Sequence, residues 1–287
     1  MVDYVLCRPK GGLNDILCQI ETCWQYAVAH DRKLVVDTQQ SGLLDDFSNY
    51  FEVKGEYADI AELDISALEN LAADASCFPE FANVDAAAYR AVFDAPARNY
   101  IETESGQKIT FDFEQSYPHE LLVHHQCGGG AHSIDLMKRL QFTKETAEHV
   151  KAALAKLPES YISIHVRNTD LATDYKTFFA SLKKAVDGKD ILVCSDDRAC
   201  VDYGREYFDN SRVFSVSDIP ETGGKPLHMN ASLDRYSANI DMLVDLFCLA
   251  NGQALHLTRV DRGFLSGFSR LAQSLNRNRD VLDSLLS

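Results

Sequence analysis

The residues best suited to chemistry form a short run at positions 165–170, which reads His-Val-Arg-Asn-Thr-Asp and directly follows an apolar segment. A guanidinium in such a place can hold a diphosphate through parallel charge-assisted hydrogen bonds. Arg167 is therefore a candidate phosphate ligand, with His165 and Asp170 beside it. The same run also allows a simpler interpretation, in which Arg167 and Asp170 form an ion pair that closes a loop.

Two further polar clusters in the second half of the chain also follow apolar segments. Asp196 and Asp197 come after the run 190–195, and paired acids at the end of a strand can accept hydrogen bonds from a base or a ribose. The run 266–269, Ser-Gly-Phe-Ser, stands where the last helix is expected to begin, and hydroxyls and amides at a helix start suit phosphate oxygens. Each cluster could equally serve as a helix cap alone.

The first half of the chain contributes a glycine turn near its start. Gly11 and Gly12 follow the apolar run 2–7, and apolar residues recur at helical spacing from Ile16 onward. Glycines let a ligand approach the backbone, and the helix start behind them favours anions. The turn is a candidate ligand site, although glycine at such a turn can also serve packing alone.

Two classes of chemistry find little support. His124, His125, Cys127 and His132 invite a zinc interpretation, but their spacing fits no common zinc motif, and adjacent residues of a strand point to opposite faces. The sequence contains no P-loop, no GxSxG turn and no HExxH helix, and its cysteines lack a credible catalytic partner. We therefore expect neither a resident metal nor nucleophilic catalysis.

The elements that must position these residues form two series of alternating strands and helices. Apolar runs typical of buried strands end just before the glycine turn and before the clusters at Arg167 and Asp196, with helical periodicity between them. Such alternation predicts parallel sheets, in which ligands bind beyond the carboxyl ends of the strands. We predict an α/β chain of two Rossmann-like domains, residues 1–145 and 146–287. An insert at 41–120 has an apolar pattern that favours short helices over strands.

Charge narrows the classes of function further. The chain has 287 residues, and its formal charge of −15 comes from 28 Lys and Arg against 43 Asp and Glu. Residues 41–120 hold 17 acids and 4 bases, a net charge of −13, so the rest of the chain carries only −2. This balance excludes a general nucleic-acid binder but leaves room for a local phosphate pocket. It also predicts that a ligand of the acidic segment is neutral or cationic rather than polyanionic.

Neither a membrane nor a secretory pathway is indicated. No apolar stretch reaches the roughly 18 residues of a membrane span, and the N-terminus lacks the basic and apolar regions of a signal peptide. The eight cysteines contain no CxxC pair and are expected to be reduced and mostly buried. The sequence predicts a cytoplasmic protein with no integral membrane segment.

Taken in order, these features resemble the GDP-fucose-dependent fucosyltransferases. That superfamily includes the nodulation and core α-fucosyltransferases, the α-1,2-fucosyltransferases and the protein O-fucosyltransferases. The run 11–19 is similar to its N-terminal glycine turn, 165–170 to its HxRxxD signature, and 193–197 to its strand ending in ATDD. Residues 241–249 and 266–272 resemble its closing helix and SxFS turn. The resemblance spans nearly the whole chain apart from the acidic insert.

The resemblance implies a GT-B-like fold with two facing Rossmann-like domains, the first on the acceptor side and the second binding the donor. It also implies an inverting transfer of a sugar, in the first place fucose, from GDP-fucose to a glycan or glycoconjugate acceptor, with no divalent metal and no further cofactor. Carried over by position, Arg167 would bind the β-phosphate and stabilise the departing GDP, and Asp15 would be the catalytic residue near the sugar. His165 would line the nucleotide site, and Asp196 would read the guanine. Residues 266–269 would hold phosphate oxygens. The residues expected to bind substrate are Gly11, Gly12, Asn14, His165, Asp170, Asp196, Ser266, Gly267, Phe268 and Ser269.

Two departures from the family pattern bear on the chemistry. Asn168 stands where two of the groups have a second arginine, so linkage cannot be copied from them, and the first turn lacks the family's third glycine. Asp15 and Asp170 are alternative candidates for the general base. A catalytically silent protein that binds nucleotide sugars or glycans on the same scaffold is the alternative function. A dinucleotide-dependent oxidoreductase would need GxGxxG, but residues 11–16 read GGLNDI.

Overall fold

The chain consists of two compact units, Met1–Thr143 and Lys144–Ser287. The division falls after Thr143, where the sequence places it after residue 145. The structure is a computed structural model, and it describes residues 2–69, 71, 75–169, 172–217, 219, 234–260 and 263–287.

The first unit is built on a five-stranded parallel sheet. Its elements are β1 (Tyr4–Cys7), α1 (Leu13–Ala29), β2 (Lys33–Val36), β3 (Phe51–Val53), β4 (Ala61–Glu62), β5 (Cys77–Phe78), β6 (Ala91–Asp94), β7 (Asn99–Glu102), β8 (Leu121–His124), α2 (Ser133–Met137) and β9 (Leu140–Phe142). The sheet has the order β4-β2-β1-β8-β5. Its central strands are covered on both faces, and for this reason they are continuous apolar runs in the sequence.

The insert at 41–120 contains both short helices and short strands, so the preference for helices is only partly right. Its helices are single 3₁₀ turns at Phe47–Asn49, Gly55–Tyr57, Ile65–Leu68 and Ala86–Ala88. Strands β4 and β5 pair with the main sheet through two residues each, which is too short for a strand period to be read. β6 and β7 form an antiparallel hairpin that the sequence analysis missed.

The second unit has a four-stranded parallel sheet in the order β12-β11-β10-β13. Side chains of its core include Ile164, Phe179 and Val193, which seal the sheet against its helices. The predicted alternation of strands and helices is confirmed. The elements are α3 (Lys144–Leu154), β10 (Ile162–Val166), α4 (Tyr175–Val186), β11 (Asp190–Ser195), α5 (Arg198–Tyr207), β12 (Arg212–Phe214), α6 (Arg235–Asn251), β13 (Ala254–Leu257), α7 (Gly267–Arg277) and α8 (Arg279–Ser284).

Two general expectations concern membranes and thiols. Among the residues that the structure describes, no helix is both long and apolar enough to cross a membrane. All eight cysteines are unpaired, and six of them are buried, as the sequence predicts.

Candidate active site

The polar centre of the second unit lies where β10 and β11 end side by side. Arg167 leaves β10, and its Nη1 lies 2.7 Å from Oδ2 of Asp196, which leaves β11. The guanidinium side chain is 23% exposed and the carboxylate side chain 8% exposed. The backbone of Arg167 is held on both sides, because its N–H donates to Thr258 Oγ1 at 3.3 Å and its carbonyl accepts from Thr173 Oγ1 at 2.8 Å. The guanidinium is thus fixed at the carboxyl edge of the sheet.

The paired acids after β11 organise the loop that carries this arginine. Asp196 accepts from the backbone N–H of Asn168 at 2.8 Å and from Thr169 Oγ1 at 2.5 Å. Asp197 accepts from Asn168 Nδ2 at 2.9 Å, and it also caps α5 by accepting from the N–H of Ala199 at 3.0 Å. The capping interpretation is therefore right for Asp197, and among the described residues Asp196 forms an ion pair with the arginine. That Asp196 reads a guanine stays a prediction.

His165, the last but one residue of β10, is buried in a chain of hydroxyls. Its Nδ1 lies 2.9 Å from Ser269 Oγ. Ser266 Oγ lies 2.9 Å from Ser269 Oγ, so the two hydroxyls and the imidazole form one hydrogen-bonded chain. Burial, and then the nearby charge of Arg167, lower the pKa of His165 to about 3. The imidazole is accordingly neutral at physiological pH.

The start of α7 lies against this histidine. Ser266 is the N-cap, accepting from the N–H of Ser269 at 3.1 Å, and the ring of Phe268 lies 5.1 Å from that of His165. Because both hydroxyls bond within the unit, a phosphate would be held here by amides. The N–H groups of Gly267 and Phe268 are in the first turn of the helix, where no intrahelical acceptor exists.

Asp245 on α6 is a further acidic residue near the end of β11. In the sequence it is part of the motif at 241–249. Its carboxylate accepts from Ser217 Oγ at 2.7 Å and lies 3.6 Å from Cys194 Sγ. Burial raises its pKa to about 7. The residue joins the segment after β12 to the end of β11. Its spacing of four from Asp241 on the helix is the signal that could have identified it.

In the first unit, the glycine turn is shaped around Asp15. The carboxylate accepts from the N–H of Gly12 at 3.3 Å, and Gly11 has a φ of +95°. A Cβ on Gly11 would lie 2.7 Å from Asp15 Oδ2, and one on Gly129 would lie well inside contact distance of Oδ1. The glycines therefore make room for this partly exposed side chain beyond the end of β1.

Asn14, which is predicted to bind substrate, makes hydrogen bonds within the first unit. It is buried, its Nδ2 donates to the carbonyl of Gly130 at 3.3 Å, and its Oδ1 accepts from Ser133 Oγ at 2.8 Å. Both polar groups of the amide are used to hold α1 against the segment that leads into α2. The helical position next to Asp15 turns this side chain into the unit.

The two adjacent histidines at the end of β8 also bond within the first unit. His124 Nε2 lies 2.7 Å from Gln19 Oε1 and its Nδ1 lies 2.6 Å from Thr110 Oγ1. His125 Nδ1 lies 2.9 Å from the hydroxyl of Tyr89. Burial lowers the pKa of His124 to about 4 and that of His125 to about 3. These imidazoles are neutral hydrogen-bonding groups beside the sheet.

The structure thus gathers the predicted residues into two groups, one in each unit. His165, Arg167, Asp196 and residues 266–269 form a cluster at one sheet edge of the second unit. Gly11, Gly12 and Asp15 lie together in the first. Asp170 lies outside the described residues.

Solved structures similar to this chain include fucosyltransferases. NodZ from Bradyrhizobium is 18% identical in sequence, with a TM-score of 0.67 over 95% of this chain and 93% of that one. POFUT1 in complex with GDP is 13% identical, with a TM-score of 0.54 over 99% of this chain and 96% of that one. Arabidopsis thaliana FUT1 in complex with GDP is 12% identical, with a TM-score of 0.54 over 96% of this chain and 69% of that one.

The chain has the GT-B-like fold of these fucosyltransferases. No family model and no curated protein matches its sequence. The fold class that the sequence predicts is therefore confirmed by the structure, at sequence identities of 18% and below for the structures named here. On this fucosyltransferase fold, both polar groups occupy the carboxyl ends of parallel strands, where ligands of such sheets bind.

Proposed function

We propose that this chain transfers fucose from GDP-fucose to a hydroxyl of a glycan or glycoconjugate, with inversion at the sugar carbon and without a divalent metal. The observation that carries the proposal is the fixed, partly exposed guanidinium of Arg167 at the sheet edge of the second unit. The fold supports it, since one NodZ structure was soaked with GDP-fucose and one POFUT1 structure contains GDP.

The donor side of the reaction requires positive charge at the leaving group. When the bond from the sugar carbon to the β-phosphate oxygen breaks, its electron pair stays on GDP. Arg167 would meet that charge with parallel hydrogen bonds, while the amides of Gly267 and Phe268 and the positive end of α7 would face further phosphate oxygens. Groups already aimed at a developing charge stabilise a transition state without reorganisation.

The acidic pair supports a transfer that needs no metal. Divalent cations in nucleotide sites are held by carboxylate oxygens. In this unit those of Asp196 face Arg167, Asn168 and Thr169, and those of Asp197 face Asn168 and the start of α5. Asp196 thus faces a cation that belongs to the protein itself, the guanidinium of Arg167.

On the acceptor side, Asp15 is the proposed general base. In an inverting transfer, the acceptor oxygen attacks the sugar carbon from the face opposite GDP, and its proton passes to a base or to water. Asp15 is a partly exposed carboxylate beyond the end of β1, in a turn where glycines make room for its side chain. Its exchange for alanine should lower kcat more than it changes binding of GDP.

The proposal is tested by GDP release from GDP-fucose on a panel of neutral glycans, in EDTA and again with Mg²⁺. The expected result is equal turnover in both and a product whose anomeric configuration is opposite to that of the donor. Arg167→Ala should reduce turnover by about 10²–10³-fold, since it removes a main source of charge stabilisation.

Arg205→Ala is the matched control, because it breaks a surface ion pair of 2.9 Å with Asp202. Turnover that survives Arg167→Ala, or a preference for GDP-mannose or a UDP-sugar, would contradict the proposal. Tight GDP binding without turnover on a broad panel would favour the silent binding protein instead.

A further inference from the structure

The β6–β7 hairpin of the acidic insert presents an exposed aromatic face. Phe93 is 56% exposed and pairs directly with Tyr100 on the other strand. Directly paired residues project from the same face of a hairpin. Their ring centroids are 5.7 Å apart with planes at 70°, so one ring presents its edge to the other. A phenylalanine this exposed gives up much of the stabilisation that burial would provide.

This aromatic face continues to the glycine turn of the candidate active site. Lys10 Nζ lies 5.3 Å from the centroid of the Tyr100 ring, and the His125 ring is stacked 6.2 Å from it. The ammonium is held there, because it donates to the carbonyl of Gln40 at 2.9 Å and to its Oε1 at 3.1 Å. Because Lys10 directly precedes Gly11, its contact with the Tyr100 ring places the hairpin next to the glycine turn.

The hairpin is also fixed to the sheet edge. The Asn99 side chain donates to the carbonyl of Cys127 at 3.3 Å and accepts from its N–H at 2.9 Å. Gln126 Nε2 donates to the carbonyl of Tyr100 at 2.9 Å. Cys127 lies near the carboxylate of Asp15, whose charge adds to burial in raising the pKa of this thiol. A surface held in this way loses little conformational freedom when it binds a ligand.

We propose that Phe93, Tyr100 and Lys10 form a subsite for a neutral oligosaccharide. The inference rests on the proposed function, since the bound sugar would be the distal part of the acceptor whose reacting hydroxyl lies at Asp15. A sugar ring stacks its C–H face on an aromatic ring, which Phe93 and Tyr100 supply, and pairs its hydroxyls with polar groups, of which the Lys10 ammonium beside Tyr100 is one.

Size and charge favour this occupant over others. Two rings and one ammonium are far smaller than the roughly 800 Å² that each partner contributes to a stable protein interface. The net charge of −13 on residues 41–120 repels polyanionic glycans. The chain should therefore prefer neutral oligosaccharides to monosaccharides.

The test uses the full chain on a glycan array of neutral, sulfated and sialylated sugars, from mono- to hexasaccharides, followed by KM for the bound series. Phe93→Ala should weaken binding of neutral oligosaccharides about tenfold and leave monosaccharides unchanged. Phe93→Trp should restore binding. Val28→Ala is the matched control, since Val28 is also 56% exposed, at the end of α1.

GDP binding by calorimetry, without any acceptor, separates this inference from the proposed function. Loss of oligosaccharide binding in Phe93→Ala, with GDP binding retained, supports the subsite. If the chain binds no GDP but still loses oligosaccharides in Phe93→Ala, the subsite stands and the proposed transfer fails. Equal oligosaccharide binding in the parent chain and Phe93→Ala would overturn the proposed subsite. No glycan binding at all, or a preference for sulfated or sialylated sugars, would overturn it as well.

Discussion

Replacing Asp196 by asparagine separates two roles for this carboxylate. In the structure, Asp196 bonds to the Arg167 guanidinium at 2.7 Å, to the N–H of Asn168 at 2.8 Å and to Thr169 Oγ1 at 2.5 Å. If its function is to hold the arginine in place, the change should weaken the binding of every nucleoside diphosphate by a similar factor. If it reads the guanine, as the family resemblance implies, the loss should depend on the base.

The size of the loss follows from these contacts. Hydrogen bonds to a charged group are each worth about 1.5–3 kcal/mol. Asparagine keeps one acceptor oxygen but loses the charge, and the arginine side chain is 23% exposed, which places its contribution at the lower end. We expect a loss of about 2 kcal/mol in diphosphate binding, or roughly thirtyfold in Kd.

The assay is calorimetric titration with GDP, IDP and ADP, because IDP lacks only the 2-amino group of guanine. The Asp196→Asn variant should bind all three nucleotides more weakly than the parent chain, by a similar factor. In the Arg167→Ala background the same change should cost little further, since both variants remove one shared interaction. Asp64→Asn, which alters an exposed cap that accepts from the N–H of Ser66 at 2.8 Å, is the control. A loss confined to GDP would refute the positioning role.

Two further changes test the packing around the strand ends. Gly129→Ala should destabilise the chain by about 1–3 kcal/mol and lower turnover, because its methyl group would overlap the Asp15 carboxylate. Gly55 has open space around it, so Gly55→Ala should change neither stability nor turnover. Thermal melts and rate assays measure the two effects. Asp245→Asn should gain stability relative to the parent chain as the pH rises from about 4 to 7. In the folded parent chain, the pKa of the Asp245 carboxyl is raised from 3.8 to about 7. The folded state therefore favours the protonated carboxyl, and the parent chain loses stability as this carboxyl ionises with rising pH. Because this group is partly buried and accepts from Ser217, we expect the free energy of unfolding of the variant to rise by about 2 kcal/mol relative to the parent. Urea unfolding at pH 4.5 and 8 measures this difference. An equal response of the two proteins to pH would contradict the assignment.

The central strands and the helices beside them could be predicted because their signals are local. α4 is an example, since Asp174 caps it by accepting from the N–H of Thr177 and apolar residues follow at helical spacing. Arg167 and Asp196 could be placed at one sheet edge because parallel neighbouring strands end together.

The insert shows where local reasoning stops. β5 is a strand only because Cys77 and Phe78 pair with Leu121 and Leu122, residues remote in the sequence. The β6–β7 hairpin follows the same rule, since its aromatic face is defined by the pairing of Phe93 with Tyr100. Segments of two to four residues are too short for a hydrophobic period to identify them.

By itself the sequence determined the fold class, the order of the elements and the residue types at the strand ends, since periodicity and capping act over a few residues. Only the tertiary structure decided which partner each polar side chain takes. Asn14 is turned inward to Ser133, and His165 bonds to Ser269, a residue 104 positions away. A hydrogen bond depends on the positions of both groups in space, and the folding of the whole unit sets those positions.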